Sequence, residues 1–252
     1  MLVAERHREI VNVLDQEGSV RVSELARLFR VTEETIRRDL ERLEAEGKLM
    51  RTHGGAVGIK HSEREAPFSE REISYMQEKI AIAKEAVQRV VEGDTILLDA
   101  STTAWQMARL LPDMRLTVLT NAIKVAVELA DRSRVRIIST GGTLSPASLS
   151  FVGPAAERML KEYHVNKLFF SCKGIDIQLG LRESSESNAM IKRRMMSIAD
   201  QRYLLADHSK FGTKALEMLA PLKDVEEIIT DSKIDAALLQ QLKSREFSVK
   251  LV

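Results

Sequence analysis

The chain has 252 residues, 44% of them hydrophobic and 30% charged, a balance that supports one or two folded domains and excludes wholesale disorder. The net charge of +1 says nothing about partners, and the single cysteine, Cys172, excludes an internal disulfide and fits a reducing, cytoplasmic compartment. The start "MLVAERHREIV" lacks the apolar core of a signal peptide, and no run of about 18 apolar residues occurs, so neither a membrane span nor a membrane partner is expected.

Three short helical patterns open the chain. The first runs from about Val3 to Gln16, with Ile10, Val13 and Leu14 on one face and Gly18 as its stop. Ser23 is the expected cap of the second, with Leu25, Leu28 and Phe29 inward. After a tight break at Arg30-Val31, Thr32 is the N-cap of the third, and Ile36, Leu40 and Leu43 form its buried stripe up to a stop at Gly47. "KLMR" and "AV" read as two short strands joined through "THGG". Residues from about 58 to 74 carry many charges and few apolar groups, the composition of a linker. A helix from about Tyr75 to Val91 follows, with Ile80, Ala83 and Val87 inward. Then "TILLDA", "LTVLTN", "VRIIST", "KLFFSCKG", "RYLLAD" and "VEEIITD" read as strands separated by helical patterns, which predicts an α/β domain with a mostly parallel sheet.

The third helix has an unusual exposed face. With Leu40 inward, Glu34, Arg38 and Glu41 point outward, and Thr35 and Arg37 flank them. One reading is solvated charge on an ordinary helix. The other is a helix-turn-helix whose second helix enters the major groove, where an arginine donates two bonds to guanine or one to a phosphate. In that reading "THGG" forms a wing that sets Arg51 and His53 beside the minor groove, with the glycines letting the backbone approach the DNA strand. Residues 1–60 hold eleven Lys/Arg and eleven Asp/Glu, so such a domain grips DNA through placed residues such as Arg6, Arg37, Arg38 and Arg51, and through pairing of copies, rather than through bulk charge.

In the second domain, "LLDASTT" is a strand running into a helix start, a place where hydroxyls and free N–H groups suit a phosphate or a sugar hydroxyl. A plain Ser/Thr cap reads equally well there. Polar groups recur at the other strand ends: Thr120-Asn121, Gly141-Gly142-Thr143, Lys173 with Gly174 and Asp176, and Asp207 with Ser209 and Lys210. Ligands on such sheets sit beyond the carboxyl ends of the strands. Cys172 reads as a packed small hydrophobe, and the five histidines show no metal-ligand spacing, so neither a metal nor a cofactor is expected. The polar stretch Arg182 to Asn188 reads as a lid or as a surface loop, and Lys192, Arg193 and Arg194 as a solvated face or as one charge reaching the pocket.

"VTEETIRRDLERLEAEGKLMRTHGGA" resembles the winged helix-turn-helix signature of DeoR-type bacterial regulators, and "RVSELARLFRV" resembles the first motif helix of that family. "PFSERE", "EKIAIAKEA", "GDTILLDASTT", "LTVLTN", "STGGTL", "FFSCKGID" and "ADHSKFG" are similar, in order, to its C-terminal effector domain, so the likeness covers nearly the whole chain. The resemblance implies a winged helix-turn-helix over residues 1–58, a linker over 59–75 and a sensor domain over 76–252 similar in fold to ribose-5-phosphate isomerase and glucosamine-6-phosphate deaminase. It implies a non-enzymatic repressor of a sugar-catabolism operon whose partners are operator DNA, a phosphorylated sugar and further copies of itself, as a dimer or tetramer. The alternatives are an isomerase- or deaminase-like enzyme with a DNA-binding cap, and an activator of the same architecture.

Carried over by position, the DNA-binding residues are Arg6, Ser23, Thr32, Glu34, Thr35, Arg37, Arg38, Arg51 and His53. The effector-binding residues are Asp99, Ser101, Thr102, Thr103, Asn121, Gly142, Lys173, Asp176 and Lys210. Of these, Lys210 and the Ser101–Thr103 loop are assigned to phosphate, and Asp99 and Asp176 to sugar hydroxyls. Ala100 stands where many members have glycine, and its methyl group narrows the expected pocket. "SCKGID" and "DASTTAW" look most like members that control deoxyhexose (fucose or rhamnose) operons.

Overall fold

The computed structural model describes residues 3–17, 19–46, 48–52, 54–58 and 65–252. The expected helix stops at Gly18 and Gly47, and His53, lie outside the described residues. The chain forms two units, Met1–Glu65 and Ala66–Val252.

The first unit runs α1 (Val3–Glu17), β1 (Ser19–Arg21), α2 (Val22–Phe29), α3 (Glu33–Ala45), β2 (Leu49–Thr52) and β3 (Gly55–Gly58). Ile10, Leu14, Leu25, Ile36, Leu40 and Leu43 are fully buried and make its core. Thr32 caps α3 by accepting a hydrogen bond from the Thr35 N–H, and Glu33 and Glu34 place negative charge at the positive end of the helix dipole. Arg30, in the left-handed conformation at φ 54°, makes the break between α2 and α3.

Three details differ from expectation. The N-cap of α2 is Arg21, whose N–H donates to the Glu24 carboxylate at 3.1 Å; Ser23 lies inside the first turn. Leu28 is 60% exposed, because the buried stripe of α2 runs through Val22, Leu25 and Ala26 and leaves position 28 to one side. The wing is a three-stranded antiparallel sheet in the order β1-β3-β2, with β1 unforeseen. Gly55 is required by that extra strand: a Cβ there would lie 1.8 Å from the Val20 carbonyl oxygen.

The second unit runs α4 (Phe68–Ile73), α5 (Met76–Val87), β4 (Thr95–Leu98), α6 (Thr102–Leu110), β5 (Leu116–Thr120), α7 (Ile123–Leu129), β6 (Val135–Ser139), β7 (Thr143–Ser145), β8 (Ser150–Val152) and α8 (Pro154–Leu160). It continues with β9 (Val165–Phe170), β10 (Gly174–Asp176), β11 (Gly180–Glu183), α9 (Glu186–Ser197), β12 (Ala199–Leu205), β13 (Glu217–Ala220), β14 (Glu227–Thr230), α10 (Ala236–Ser244) and β15 (Val249–Leu251). Seven strands form a wholly parallel sheet in the order β15-β14-β12-β9-β4-β5-β6. Alternating residues feed two cores, one on each face: Leu97, Leu168, Phe170 and Leu204 on one side, Ile96, Leu98, Phe169 and Leu205 on the other. A small antiparallel sheet, β10-β11-β13, extends the fold.

Strand order fixes where a ligand site can form. From β4 the chain winds outward through β5 and β6, and from β9 it winds the other way through β12, β14 and β15. The order reverses between β4 and β9, which opens a crevice beyond their carboxyl ends.

The end of the expected linker is part of this unit. Phe68 is buried, its N–H donates to the Ala147 carbonyl at 2.8 Å, and its ring meets Trp105 edge-on at 5.8 Å. The buried aromatic, the Lys79 ammonium on the Arg71 and Ser74 carbonyls and the Lys124–Glu72 pair together dock this charge-rich segment. α5 also turns differently from expectation. It buries Lys79, Ile82, Ala83 and Ala86 and leaves Ile80 and Val87 half-buried.

Candidate functional site

The first candidate surface is the N-terminal half of α3. Glu33, Glu34, Arg37 and Arg38 are exposed, and Ile36, Asp39 and Leu40 are buried. Arg37 pairs with Glu33 at 3.0 Å, Arg38 with Glu34 at 3.3 Å, and Arg51 on β2 with Glu41 at 2.8 Å. A polar cleft of about 240 Å³ lies between the start of α2, α3 and the wing, lined by Ser23, Glu33, Arg37, Arg51, Thr52 and Gly54. Thr32 and Thr35 join their hydroxyls at 2.9 Å, so both serve the cap.

Arg6 is a correction. It is 7% exposed, and its guanidinium makes two hydrogen bonds to Asp39, which also bonds His7 at 2.9 Å. Burial pushes the Asp39 carboxyl up, but hydrogen bonds from Arg6 and His7 outweigh it and hold the group below the usual carboxylate range. Arg6 therefore ties α1 to α3 and is not available to DNA.

The second candidate surface is the crevice at the ends of β4 and β9. Asp99 is wholly buried there. One oxygen accepts from the Ser101 N–H and hydroxyl, and the other from the Ser171 N–H and the Lys192 ammonium at 3.2 Å. With both oxygens engaged, Asp99 stitches the two strand ends together instead of presenting a group to a sugar. Lys192 also bonds Glu183 and the Ser171 carbonyl. The Ser101 hydroxyl caps α6 by accepting from the Ala104 N–H. The N–H groups of Thr102 and Thr103 have no hydrogen-bond partner among the described residues.

Other groups around this crevice are buried without a partner among the described residues. They are Asn121 Oδ1, Thr140 Oγ1, Ser184 Oγ and one carboxylate oxygen of Asp207. Asn121 donates its amide to the Phe151 carbonyl, which fixes the direction of that oxygen. Lys210 is half-buried, and its ammonium makes no hydrogen bond or ion pair among the described residues. The Cys172 thiol is pushed up to about 12, by burial first and then by the Glu183 charge; Lys192 and Lys210 act the other way, and Asp99 adds a further push. That sulfur is therefore a packed hydrophobe and not a nucleophile.

Asp176 and Gly142 each have a role within the fold. The Asp176 carboxylate accepts the N–H groups of Gln178 and Leu179, so it shapes the β10–β11 turn; those two bonds hold it below the usual carboxylate range. Gly142, at φ 116°, is needed for packing, because a Cβ would lie 2.9 Å from the Val152 carbonyl oxygen. Lys173 is half-buried and its N–H donates to the Arg182 carbonyl, and Ala100 packs against the α5–α6 core. Arg182 to Asn188 is neither lid nor plain loop: Glu183 ends β11, Ser184 is buried and Ser185 caps α9.

Residues 6–62 match the profile of the DeoR-like helix-turn-helix domain, and residues 74–232 that of the DeoR C terminal sensor domain. The chain belongs to the DeoR family. It is 53% identical to the HTH-type transcriptional regulator YulB of Bacillus subtilis over 252 residues, covering 100% of this chain and 98% of that one. It is 38% identical to the L-fucose operon activator of Escherichia coli K12 over 232 residues, covering 91% of this chain and 96% of that one. Among solved structures it is similar to ribose 5-phosphate isomerase A from Methanocaldococcus jannaschii, with 18% identity and a TM-score of 0.42 over 55% of each chain.

This DeoR-family chain is thus a DNA-binding transcriptional regulator and not an isomerase or deaminase with a cap. No helix among the described residues is long and apolar enough to cross a membrane. Lys192, Glu183 and Thr140 also stand at the crevice; the sequence offers Lys192 only as one of three successive cations and Glu183 only within the polar stretch 182–188. Thr140 was legible as the end of "VRIIST". The inward turn of Lys192 was not, because helical spacing alone does not say which of three successive cations meets a carboxylate.

Proposed function

We propose that this regulator is a cytoplasmic, sequence-specific repressor of a sugar-catabolism operon, and that a phosphorylated sugar modulates its hold on DNA. The observation that carries the effector half is the set of unpartnered buried atoms, Asn121 Oδ1, Thr140 Oγ1 and Asp207 Oδ2, around a strand-order reversal. A buried polar atom without a partner costs about 1–3 kcal/mol, a cost a polyhydroxylated ligand would remove. The free N–H groups at the start of α6 and the uncommitted Lys210 ammonium suit the phosphate of the same ligand.

In the DNA half, Arg38 would face base edges from α3, with Glu34 paired beside it. Ser23, Arg37 and Arg51 would hold a phosphate in the cleft beside the wing. A neutral domain holds DNA weakly as one copy, so a dimer or tetramer on paired half-sites gains by effective concentration. The sensor acts on DNA affinity only if sugar and DNA favour different arrangements of the protein. Activation is the second reading, and the name of the E. coli relative, an L-fucose operon activator, favours it.

The test uses the full chain against pentose, hexose and deoxyhexose phosphates, first by thermal shift and then by calorimetry with the matching free sugars. A ligand at 100 times its Kd adds roughly 2.7 kcal/mol of stability. Lys210→Ala should weaken the phosphosugar and leave the fold intact. Equal affinity for phosphorylated and free sugar in the wild type would remove the phosphate site.

A further inference from the structure

The inference concerns the DNA face and rests on the reading of α3 as the groove helix. Arg37, Arg38 and Arg51 are each ion-paired to a carboxylate of the same unit, Glu33, Glu34 and Glu41 respectively. All six side chains are at least a third exposed. Exposed pairs of this kind contribute little to stability. Their position is more telling than their strength, since Glu33 lines the same cleft as Arg37 and Arg51.

We propose that Glu33, Glu34 and Glu41 are specificity-determining residues that screen these three arginines from the phosphates of non-operator DNA. Non-specific binding is driven almost wholly by cations that neutralise phosphates and release counterions. An arginine already neutralised by a neighbouring carboxylate releases few, and the carboxylate itself repels the backbone. Only a contact fixed by operator docking, a guanine edge with two acceptors for Arg38 or a phosphate seated in the cleft for Arg37 and Arg51, repays the loss of the ion pair. The screen therefore lowers affinity for every sequence but lowers it least for the operator, which raises the ratio of the two. The equal count of acidic and basic residues over 1–60 is the same feature seen at the level of composition.

The experiment uses the full chain and two probes: a duplex enriched by the wild-type protein from a randomised pool, and a scrambled duplex of equal length and composition. Glu33→Gln and Glu41→Gln should each raise affinity for the scrambled duplex roughly threefold at low salt, the effect of one unit charge a few ångströms from a phosphate. Affinity for the enriched duplex should rise less. The gain should fade as salt shortens the screening length. Glu34→Gln should behave likewise.

Glu46→Gln is the control. It removes the same charge from the C-cap of α3, where Glu46 pairs with Lys48, and should change little. An equal gain from Glu46→Gln would reduce the effect to bulk charge and overturn the proposal. So would unchanged binding of the scrambled duplex in the Glu33 and Glu41 variants. A base-dependent loss on the enriched duplex in Glu34→Gln would make Glu34 a reader of bases and remove it from the screen. Arg37→Ala and Arg38→Ala separate the two levels. If they keep wild-type affinity for the enriched duplex, the groove-helix reading fails; if they lose it while the glutamate variants are silent, the screen alone fails.

Discussion

The two units use the same ion pairs in opposite ways. On α3, Arg38 and Glu34 meet at 3.3 Å with side chains 73% and 62% exposed. At the ends of β4 and β9, Lys192 and Asp99 meet at 3.2 Å with side chains 14% and 0% exposed. The separations are nearly equal, but the surroundings differ. Water and salt make the first pair cheap to exchange for a phosphate or a base. In the crevice, neither partner can be left alone without a large desolvation cost. A surface that must trade its contacts is built from exposed pairs, and a pocket that must keep its shape is built from buried ones. The first unit contains both kinds, since Arg6–Asp39 behind α3 is as buried as the crevice pairs.

The sharpest test of this contrast is Lys192→Met. It leaves Asp99 and Glu183 facing each other without their shared cation, and should cost about 3–5 kcal/mol of second-unit stability in urea titrations. Arg38→Ala, on the other side of the comparison, should stay within about 0.5 kcal/mol in the same measurement. A loss below 1 kcal/mol for Lys192→Met, or one above that for Arg38→Ala, would break the distinction.

The two double glycines give a second contrast with a smaller effect. Gly55→Ala and Gly142→Ala each drive a Cβ into a backbone carbonyl, and Gly142 also carries φ 116°. Each should destabilise its own unit by about 1–3 kcal/mol. Gly54→Ala meets nothing within 4 Å and should be near neutral in thermal melts. A neutral Gly55→Ala would show that β1 does not hold its place against the wing.

A further contrast is a pH dependence in the second unit. Lys79 is buried, with its ammonium held by the carbonyls of Arg71 and Ser74, and burial pulls its pKa down to about 8. Below that pH both folded and unfolded chains carry the proton. Between about 8 and the ordinary lysine range the unfolded chain binds more protons, so this group adds stability as pH rises. Cys172, pushed up to about 12, acts the other way over the upper part of that window, so Cys172→Ala is the background for the measurement. In that background stability should climb from pH 8 to 10, and Lys79→Met should flatten the climb. An identical slope in both proteins would remove Lys79 as its source.

The sequence by itself determined the three helices of the first unit, six of the seven strands of the parallel sheet, and their order. The spacing of Ile36, Leu40 and Leu43 fixed the buried stripe of α3, and Thr32 fixed its start, because a helix repeats every 3.6 residues and its first N–H groups need a cap. Apolar runs such as "TILL" and "KLFF" fixed the central strands of the parallel sheet for the same kind of local reason. Tertiary structure decided what each polar group meets. Periodicity gave Arg6, Asp99, Asp176 and Lys192 a face but no partner; Arg6, Asp99 and Lys192 turned out to be ion-paired inside the fold, and Asp176 to accept two backbone N–H groups. It also hid the three-residue strand β1 and the β11–β13 pairing, whose members lie more than thirty residues apart. Local pattern sets backbone conformation through neighbours in the chain, whereas the choice between a solvated charge and a buried ion pair depends on groups brought together only by folding.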